Sequence, residues 1–476
     1  MSAPSFTDLG VPAGVVDALV AMDRPTPFPI QADTLPDTLA GRDVLGRGKT
    51  GSGKTLAFAI PLVVAVDEAR GSRRRPGRPV GLVLAPTREL ATQITATVEP
   101  LAKALGLTVT TIFGGVKQSR QEQALAAGVD IVVACPGRLE DLMRQRIVDL
   151  SDVAVTVLDE ADHMADLGFL PVVTRILAAT PSDGQRMLFS ATLDNGVDKL
   201  VRKFLSEPVM HSVDPENSPV ADMTHHVFEV SGKDDKSELV RVLASGMGRR
   251  ILFTRTKHQA KKLAKQLTAQ GIPARDLHGN LSQPQRDRNL EAFSTGAARV
   301  LVATDIAARG VHVDDIELVV HVDPPAEHKA YLHRSGRTAR AGSAGTVVTV
   351  MLTEQKRDTV ALLKKAAISA RPVAVTATAP VVTELVGAPA PFVKPAPEPA
   401  PQQQRRAGGG HAPGRGRAGR GKGTGPRSDA AGRGQGGQAR GGQQRSGQRQ
   451  APSGQGRPQS QGRAQQPRRR ATRPAG

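Results

Sequence analysis

The tripeptide Gly-Lys-Thr occurs twice within the ten residues "GRGKTGSGKT" (46–55). A loop that wraps phosphates with its backbone N–H groups needs Gly-x4-Gly-Lys-[Ser/Thr] between a strand and a helix. Its lysine reaches the outer phosphate oxygens and its hydroxyl ligates magnesium. For the first copy the leading glycine would fall at position 43, which is Asp43. The second copy has its glycine: Gly48 leads, and Gly53, Lys54 and Thr55 complete the pattern. Thr50, Gly51 and Ser52 lie inside the loop and count among the candidate nucleotide contacts. The competing reading is a glycine-rich turn with an incidental lysine.

Phosphate transfer also needs a carboxylate for the metal at the end of a later strand. The apolar run Ala154–Leu158 ends in Asp159, Glu160, Ala161 and Asp162. Asp159 is placed for magnesium, and Glu160 to orient or deprotonate an attacking water. Alone, acids after a strand more often cap a helix; beside a complete phosphate loop they read as a catalytic pair. Far downstream, "HRSGRTAR" (333–340) gathers Arg334, Arg337 and Arg340. Arginines brought to the γ-phosphate from another domain stabilise transition-state charge, by about 10³–10⁵ in rate. Surface ion pairs are the plainer alternative for any one of them.

These groups need elements to hold them. Short Val/Ile/Leu runs recur with helical stretches between: "VGLVLAP" (80–86), "VTTIFGG" (109–115), "VDIVVACP" (129–136), "AVTVLDEAD" (154–162) and "QRMLFSAT" (185–192), then "RRILFTRT" (249–256), "ARDLHG" (274–279), "ARVLVATD" (298–305), "IELVVHVD" (316–323) and "AGTVVTVML" (344–352). Continuous apolar strands alternating with helices predict an α/β fold with parallel sheets covered on both faces, which bind ligands at the carboxyl ends of their strands. The expected organisation is a nucleotide-binding domain over 1–212, a linker over 213–226 that takes in His225 and His226, a second α/β domain over 227–370, an extended Ala/Pro-rich linker over 371–401, and a disordered tail over 402–476.

Of the net charge of +19, +16 lies from Pro401 onward, where 16 Arg and one Lys face one Asp. The body is therefore near neutral. The tail has no aromatic residue to stack on bases, so its expected contribution is sequence-independent attraction to phosphates. A single cysteine, Cys135, excludes a disulfide framework and a cysteine-based zinc site. "MSAPSFTDLG" lacks the basic start and apolar run of a signal peptide, and "LAFAIPLVVAV" (56–66) is too short to span a bilayer, so a cytoplasmic protein without membrane partners is expected.

The letters Asp-Glu-Ala-Asp at 159–162 and the ordered motifs around them resemble the DEAD-box RNA helicases, over about residues 6–370. The resemblance implies two tandem RecA-like domains, with ATP and Mg²⁺ as cofactors and RNA as partner. By it, Gln31 in "PFPIQ" reads the adenine edge and Phe6 packs near it, while Asp305 and His312 face the nucleotide. Pro86, Thr87, Arg88, Gly115, Pro136, Gly137 and Arg138 resemble the first domain's RNA contacts; Phe253, Thr256, Gln283, Arg286 and Thr304 resemble the second's. Asp162, Ser190, Thr192, His333 and Arg334 resemble elements coupling hydrolysis to RNA binding. The resemblance further implies a monomeric chain, with ribosome-assembly or RNA-decay proteins as candidate partners.

Five positions depart from the family pattern: Asp23 stands for Gly, Phe28 for Thr or Ser, Cys135 for Thr, His312 for Asp and Ala339 for Gly. Ala339 is expected to be tolerated if its φ is negative. A basic loop, "RGSRRRPGRP" (70–79), is read as solvated, with an extra RNA contact as the alternative. The leading function is RNA-stimulated ATP hydrolysis that closes the two domains and separates short duplexes. An ATP-gated RNA clamp or annealing protein uses the same residues. A GTPase would need a guanine-reading Asn/Thr-Lys-x-Asp, and "TRTKHQ" (254–259) has no such Asp.

Overall fold

The computed structural model describes residues 4–395 apart from 49–50, 72–73, 191, 194, 213–222, 309–312, 314 and 340–344. Thr50, His312, Arg340, most of the expected interdomain linker and the basic tail lie outside the described residues.

Two parallel seven-stranded sheets organise the chain. The first holds β1 (Val44–Arg47), β2 (Gly81–Leu84), β3 (Val109–Ile112), β4 (Ile131–Ala134), β5 (Val155–Asp159), β6 (Gln185–Ser190) and β7 (Val209–Ser212), in the order β3-β4-β2-β5-β6-β1-β7. The second holds β8 (Met223–Val230), β9 (Arg249–Phe253), β10 (Ala274–Leu277), β11 (Val300–Ala303), β12 (Ile316–His321), β13 (Gly345–Leu352) and β14 (Pro372–Ala374), in the order β10-β11-β9-β12-β13-β8-β14.

Side chains alternate across a strand, so one apolar run feeds two cores. In the first lobe Val83, Val133, Val157 and Met187 join one cluster, while Leu82, Leu84, Val132 and Leu158 join the other. The second lobe repeats this, with Leu252, Val302 and Val320 on one face and Ile251, Leu301 and Val319 on the other. The run Leu56–Val66 is a core helix as expected, inside Lys54–Ala69 and burying Phe58, Ile60 and Leu62 despite Pro61.

Three expectations are corrected. His225 and His226 belong to β8, between β13 and β14, and not to a linker. Their polarity hides the strand in the sequence, but His225 Nδ1 lies 3.0 Å from the Tyr331 hydroxyl, so the ring is partnered. Residues 372–395 are not an extended linker. β14 extends the second sheet, and the helix Pro380–Val386 buries Val382 and Val386 in its core. Beyond that helix, Ala390 N–H donates to Ser245 O and Val393 N–H to Gly271 O. The fully buried Arg250 donates to Leu243 O and Val386 O, anchoring the segment where the helix exposes its last carbonyls. Ala339 takes φ 53°, in the left-handed region, where a negative value was the condition for alanine to replace glycine without strain. Among the described residues, no helix is long and apolar enough to cross a membrane.

Candidate active site

β1 lies between β6 and β7 in the first lobe, and its carboxyl end opens into the loop that precedes the helix Lys54–Ala69. Gly51 and Gly53 hold φ of 92° and 91°, which favours glycine and turns successive backbone amides inward. A Cβ on Gly53 would lie 2.7 Å from both Gln31 Nε2 and the Phe28 ring, so the loop is packed against the segment before it. Lys54 is buried, and its ammonium donates to Gly48 O, at the mouth of its own loop. Ser52 Oγ is buried without a hydrogen-bond partner. A cradle with an idle hydroxyl and a lysine folded across it fits a phosphate group.

The residues expected to read adenine have work inside the fold. Gln31 accepts from Phe28 N–H and donates to Gly53 O, both at 2.9 Å, tying the upstream segment to the phosphate loop. Phe6 is a core residue, because an aromatic ring gains most where it is shielded from water. Asp23, standing where the family has glycine, takes φ 59°, a conformation that aspartate tolerates better than most residues.

β5 ends at Asp159, two strands from β1. Burial, with Glu160 alongside, pushes the Asp159 carboxyl up to about 7 against the pull of Lys54. A carboxylate held near its proton-binding point beside a phosphate loop is suited to exchanging that proton for a cation. Glu160 is in the left-handed region at φ 50°, an unfavourable geometry for its type. His163 Nδ1 lies 3.1 Å from Glu160 Oε2, while His163 Nε2 is buried without a partner. Asp162 connects this turn to the end of β6: its Oδ2 accepts from both Thr192 N–H and Thr192 Oγ1 at 3.0 Å, and Ser190 Oγ accepts from Asp162 N–H at 3.2 Å. The expected coupling residues of the first lobe thus form one hydrogen-bonded unit with the carboxylates.

In the second lobe, Arg334 binds Asp305 through two contacts of 2.5 and 2.8 Å, donates to Asp323 O and lies over the Phe253 ring. Asp305, expected to face the nucleotide, is therefore engaged by Arg334 of its own lobe. Arg337 is buried and donates to His333 O; with Phe253, Asp305, His333 and Arg334 it lines a small cavity.

The lobes meet through residues expected to hold RNA. Arg286 donates to Glu89 at 2.6 Å, Gln283 Nε2 donates to the same Glu89 oxygen at 3.1 Å, and Arg88 reaches Gln283 Oε1 at 3.2 Å. Arg286 also donates to His278 O and Ala307 O. Gln283 and Arg286 are thus committed to a buried interlobe ion pair in this structure. Arg88 lies where it does only because Gly115 has no side chain: a Cβ there would collide with its guanidinium. Although burial alone would raise Glu89, Arg286 and Gln283 hold its carboxyl below the usual range. Motif spacing alone singles out neither Glu89 nor His163. The available signals are an acid inside the otherwise phosphate-seeking "PTRELA" and a histidine directly after the carboxylates.

Of the remaining RNA candidates, Thr87 caps the helix Arg88–Ala104 by accepting from Leu90 N–H, Pro136 opens the helix Pro136–Arg144 ahead of exposed Gly137, and Thr304 lies half-buried after β11. Arg138 keeps a buried Nη1 without a partner. Cys135 caps that helix without a side-chain hydrogen bond, and burial pushes its thiol up to about 12, so it is a small packed residue rather than a reactive one. Arginines of the basic loop are ion-paired within the fold: Arg74 with Asp130, Arg75 with Asp152, and Arg78 with Asp149 and Asp152.

Comparison with known proteins matches residues 28–200 to the DEAD/DEAH box helicase family and residues 235–342 to the helicase conserved C-terminal domain. The chain is 41% identical over 363 residues to DEAD-box ATP-dependent RNA helicase 3A, chloroplastic, of Zea mays, covering 74% of this chain and 48% of that one. It is 40% identical over 348 residues to the ATP-dependent rRNA helicase RRP3 of Mycosarcoma maydis, covering 73% and 61%. The chain spans about half the length of the curated relatives it matches. Among solved structures, S. cerevisiae Dbp5 bound to RNA and ADP BeF3 superposes with a TM-score of 0.69 at 27% identity, covering 81% of this chain and all of that one. The two sheets are accordingly tandem RecA-like lobes, and the order of both family domains along one chain agrees with the arrangement of phosphate loop, carboxylates and arginines described above: this chain belongs to the DEAD/DEAH box helicases.

Proposed function

We propose that the protein is an ATP-dependent RNA helicase whose RNA-stimulated ATP hydrolysis closes the two lobes and separates short duplexes. The observation that carries the reading is the conjunction of a phosphate cradle and paired carboxylates in one lobe with an interlobe contact built from the RNA-motif residues Arg88, Glu89, Gln283 and Arg286. Thr55 and Asp159 would hold magnesium, which would supply charge neutralisation to the transferring phosphate. Lys54 exchanges its bond to Gly48 O for phosphate oxygens. Glu160, held by His163, accepts the proton of the attacking water at its carboxylate. Arg337 and Arg340 belong to the other lobe, so charge stabilisation from them depends on closure, and RNA contacting both lobes favours closure. The basic tail adds salt-sensitive, sequence-independent affinity for RNA.

The test is ATPase activity of the full chain with RNA, with DNA or with neither, using Glu160→Gln as control, together with strand separation of a short RNA duplex. Stimulation by RNA above DNA and ATP-dependent separation are expected. Equal stimulation by DNA would overturn the substrate assignment, and stimulation without separation would favour the clamp.

A further inference from the structure

We propose that Phe28 is a base-holding residue of this chain, its ring stacking on the base of the bound nucleotide; this rests on the ATP reading above. Phe28 is the N-cap of the helix Pro29–Leu39, and its ring edge lies against Gly53, where a Cβ would come within 2.7 Å of Phe28 Cδ2. That contact holds the ring at the end of the phosphate loop. The residue is nevertheless 45% exposed.

Local structure gives no reason for phenylalanine at this position. A Ser, Thr, Asp or Asn at an N-cap accepts from the N–H groups of the first turn, and the family pattern has Thr or Ser here. Phe28 makes no side-chain cap hydrogen bond. The ring thus gives up a cap and leaves apolar area in water, two local losses of the kind that proteins carry at functional sites. Among the described residues Phe28 and Phe392 are the exposed phenylalanines, and Tyr331 is buried. Phe392 lies against Gly271 in the second lobe.

The sheet order gives the direction in which a nucleotide leaves the loop. β1 opens into the phosphate loop and lies between β6 and β7, with β5 beyond β6. Asp159, the carboxylate suited to the metal, ends β5, so the outer phosphates extend toward that side. The nucleoside then leaves the cradle on the opposite side. There the helix Pro29–Leu39 packs against β1, β7 and the helix Lys54–Ala69. Phe28 and Gln31 stand at its N-terminus, and Gln31 joins it to Gly53. Phe6 is 1% exposed and offers no ring face. Gln31 has both ends of its amide engaged, with Phe28 N–H and Gly53 O. The Phe28 ring is apolar surface beside them, and an aromatic ring stacks on the π-face of a base.

The test compares the full chain with its Phe28→Leu and Phe28→Tyr variants, by calorimetric titration with ADP and by ATPase kinetics at saturating RNA. Leucine keeps an apolar contact with Gly53 and removes the ring; tyrosine keeps the ring. Phe28→Leu is expected to weaken ADP binding about tenfold, the scale of one base–aromatic stack, and to raise the KM for ATP with kcat unchanged. Phe28→Tyr is expected to keep the wild-type affinity. An ADP affinity unchanged in Phe28→Leu would overturn the proposal. So would a fall in kcat at unchanged KM, which would reduce the ring to a prop for the phosphate loop. Failure of the wild-type chain to bind ADP would instead refute the ATP reading itself.

Discussion

The two lobes share a fold and differ in how their motif residues are partnered. The first keeps polar groups idle at its ligand-facing end: Ser52 Oγ and Arg138 Nη1 are buried without partners, and the Asp159 carboxyl sits near its proton-binding point. In the second lobe the motif residues are engaged, with Arg334 closed on Asp305 and Arg286 on Glu89, while its idle buried atoms include Arg250 Nε and His321 Nε2, outside those motifs. Buried polar groups cost free energy unless matched, so an idle hydroxyl beside the phosphate loop is suited to completion by a ligand. On the function proposed above, the first lobe would hold the nucleotide and the second would bring arginines to it.

This contrast can be broken at several points. The largest effect is expected in the first lobe: Lys54→Ala should abolish ATP turnover, whereas Lys49→Ala, inside the loop but outside its invariant pattern, should cost little; steady-state ATPase assays of both variants check this. Next is the interlobe ion pair. Removing one partner of a buried pair costs about 3–5 kcal/mol where the other stays buried. Arg286→Met should therefore raise the RNA concentration needed for half-maximal ATPase stimulation strongly. Adding Glu89→Gln should recover part of the loss, and additive losses in the double mutant would refute coupling across the lobes.

A smaller effect is expected from pH on the second lobe. Burial pushes His225 down to about 4 and holds His321 well below its ordinary value of 6.5. Between those values the unfolded chain binds protons that the folded second lobe refuses. Stability therefore rises with pH through that window and is lost as pH falls from about 6.5 toward 4. Melting curves across that range should show the trend, and His225→Gln should flatten it. The smallest effect is at Ala339, with its φ of 53°. Left-handed geometry costs a residue with a Cβ about 1–2 kcal/mol, partly offset by the greater unfolded entropy of glycine. Ala339→Gly should stabilise the chain by less than about 1 kcal/mol in denaturant unfolding.

Much of this was legible before the fold was known. Ten of the fourteen strands among the described residues, and the phosphate loop with its carboxylates, follow from local pattern. A strand buried on both faces must be continuously apolar, and a phosphate loop must place glycine at fixed offsets. β8 and β14 were not legible: their residues are polar or Pro/Ala-rich, and they are strands only because β13 offers an edge and Tyr331 receives His225. Nor does spacing distinguish an arginine that will meet RNA from one that will meet Glu89, 197 residues away.

The sequence by itself determined the α/β class, the family and the identity of Gly48, Lys54, Thr55, Asp159 and Glu160 as one candidate site, since those choices are written in local spacing. The tertiary structure decided which charged groups stand idle and which are engaged, that Gln31 ties the phosphate loop to the segment before it, and that residues 372–395 belong to the second lobe. Those outcomes depend on desolvation and on partners distant in the chain, and neither quantity exists until the chain has folded.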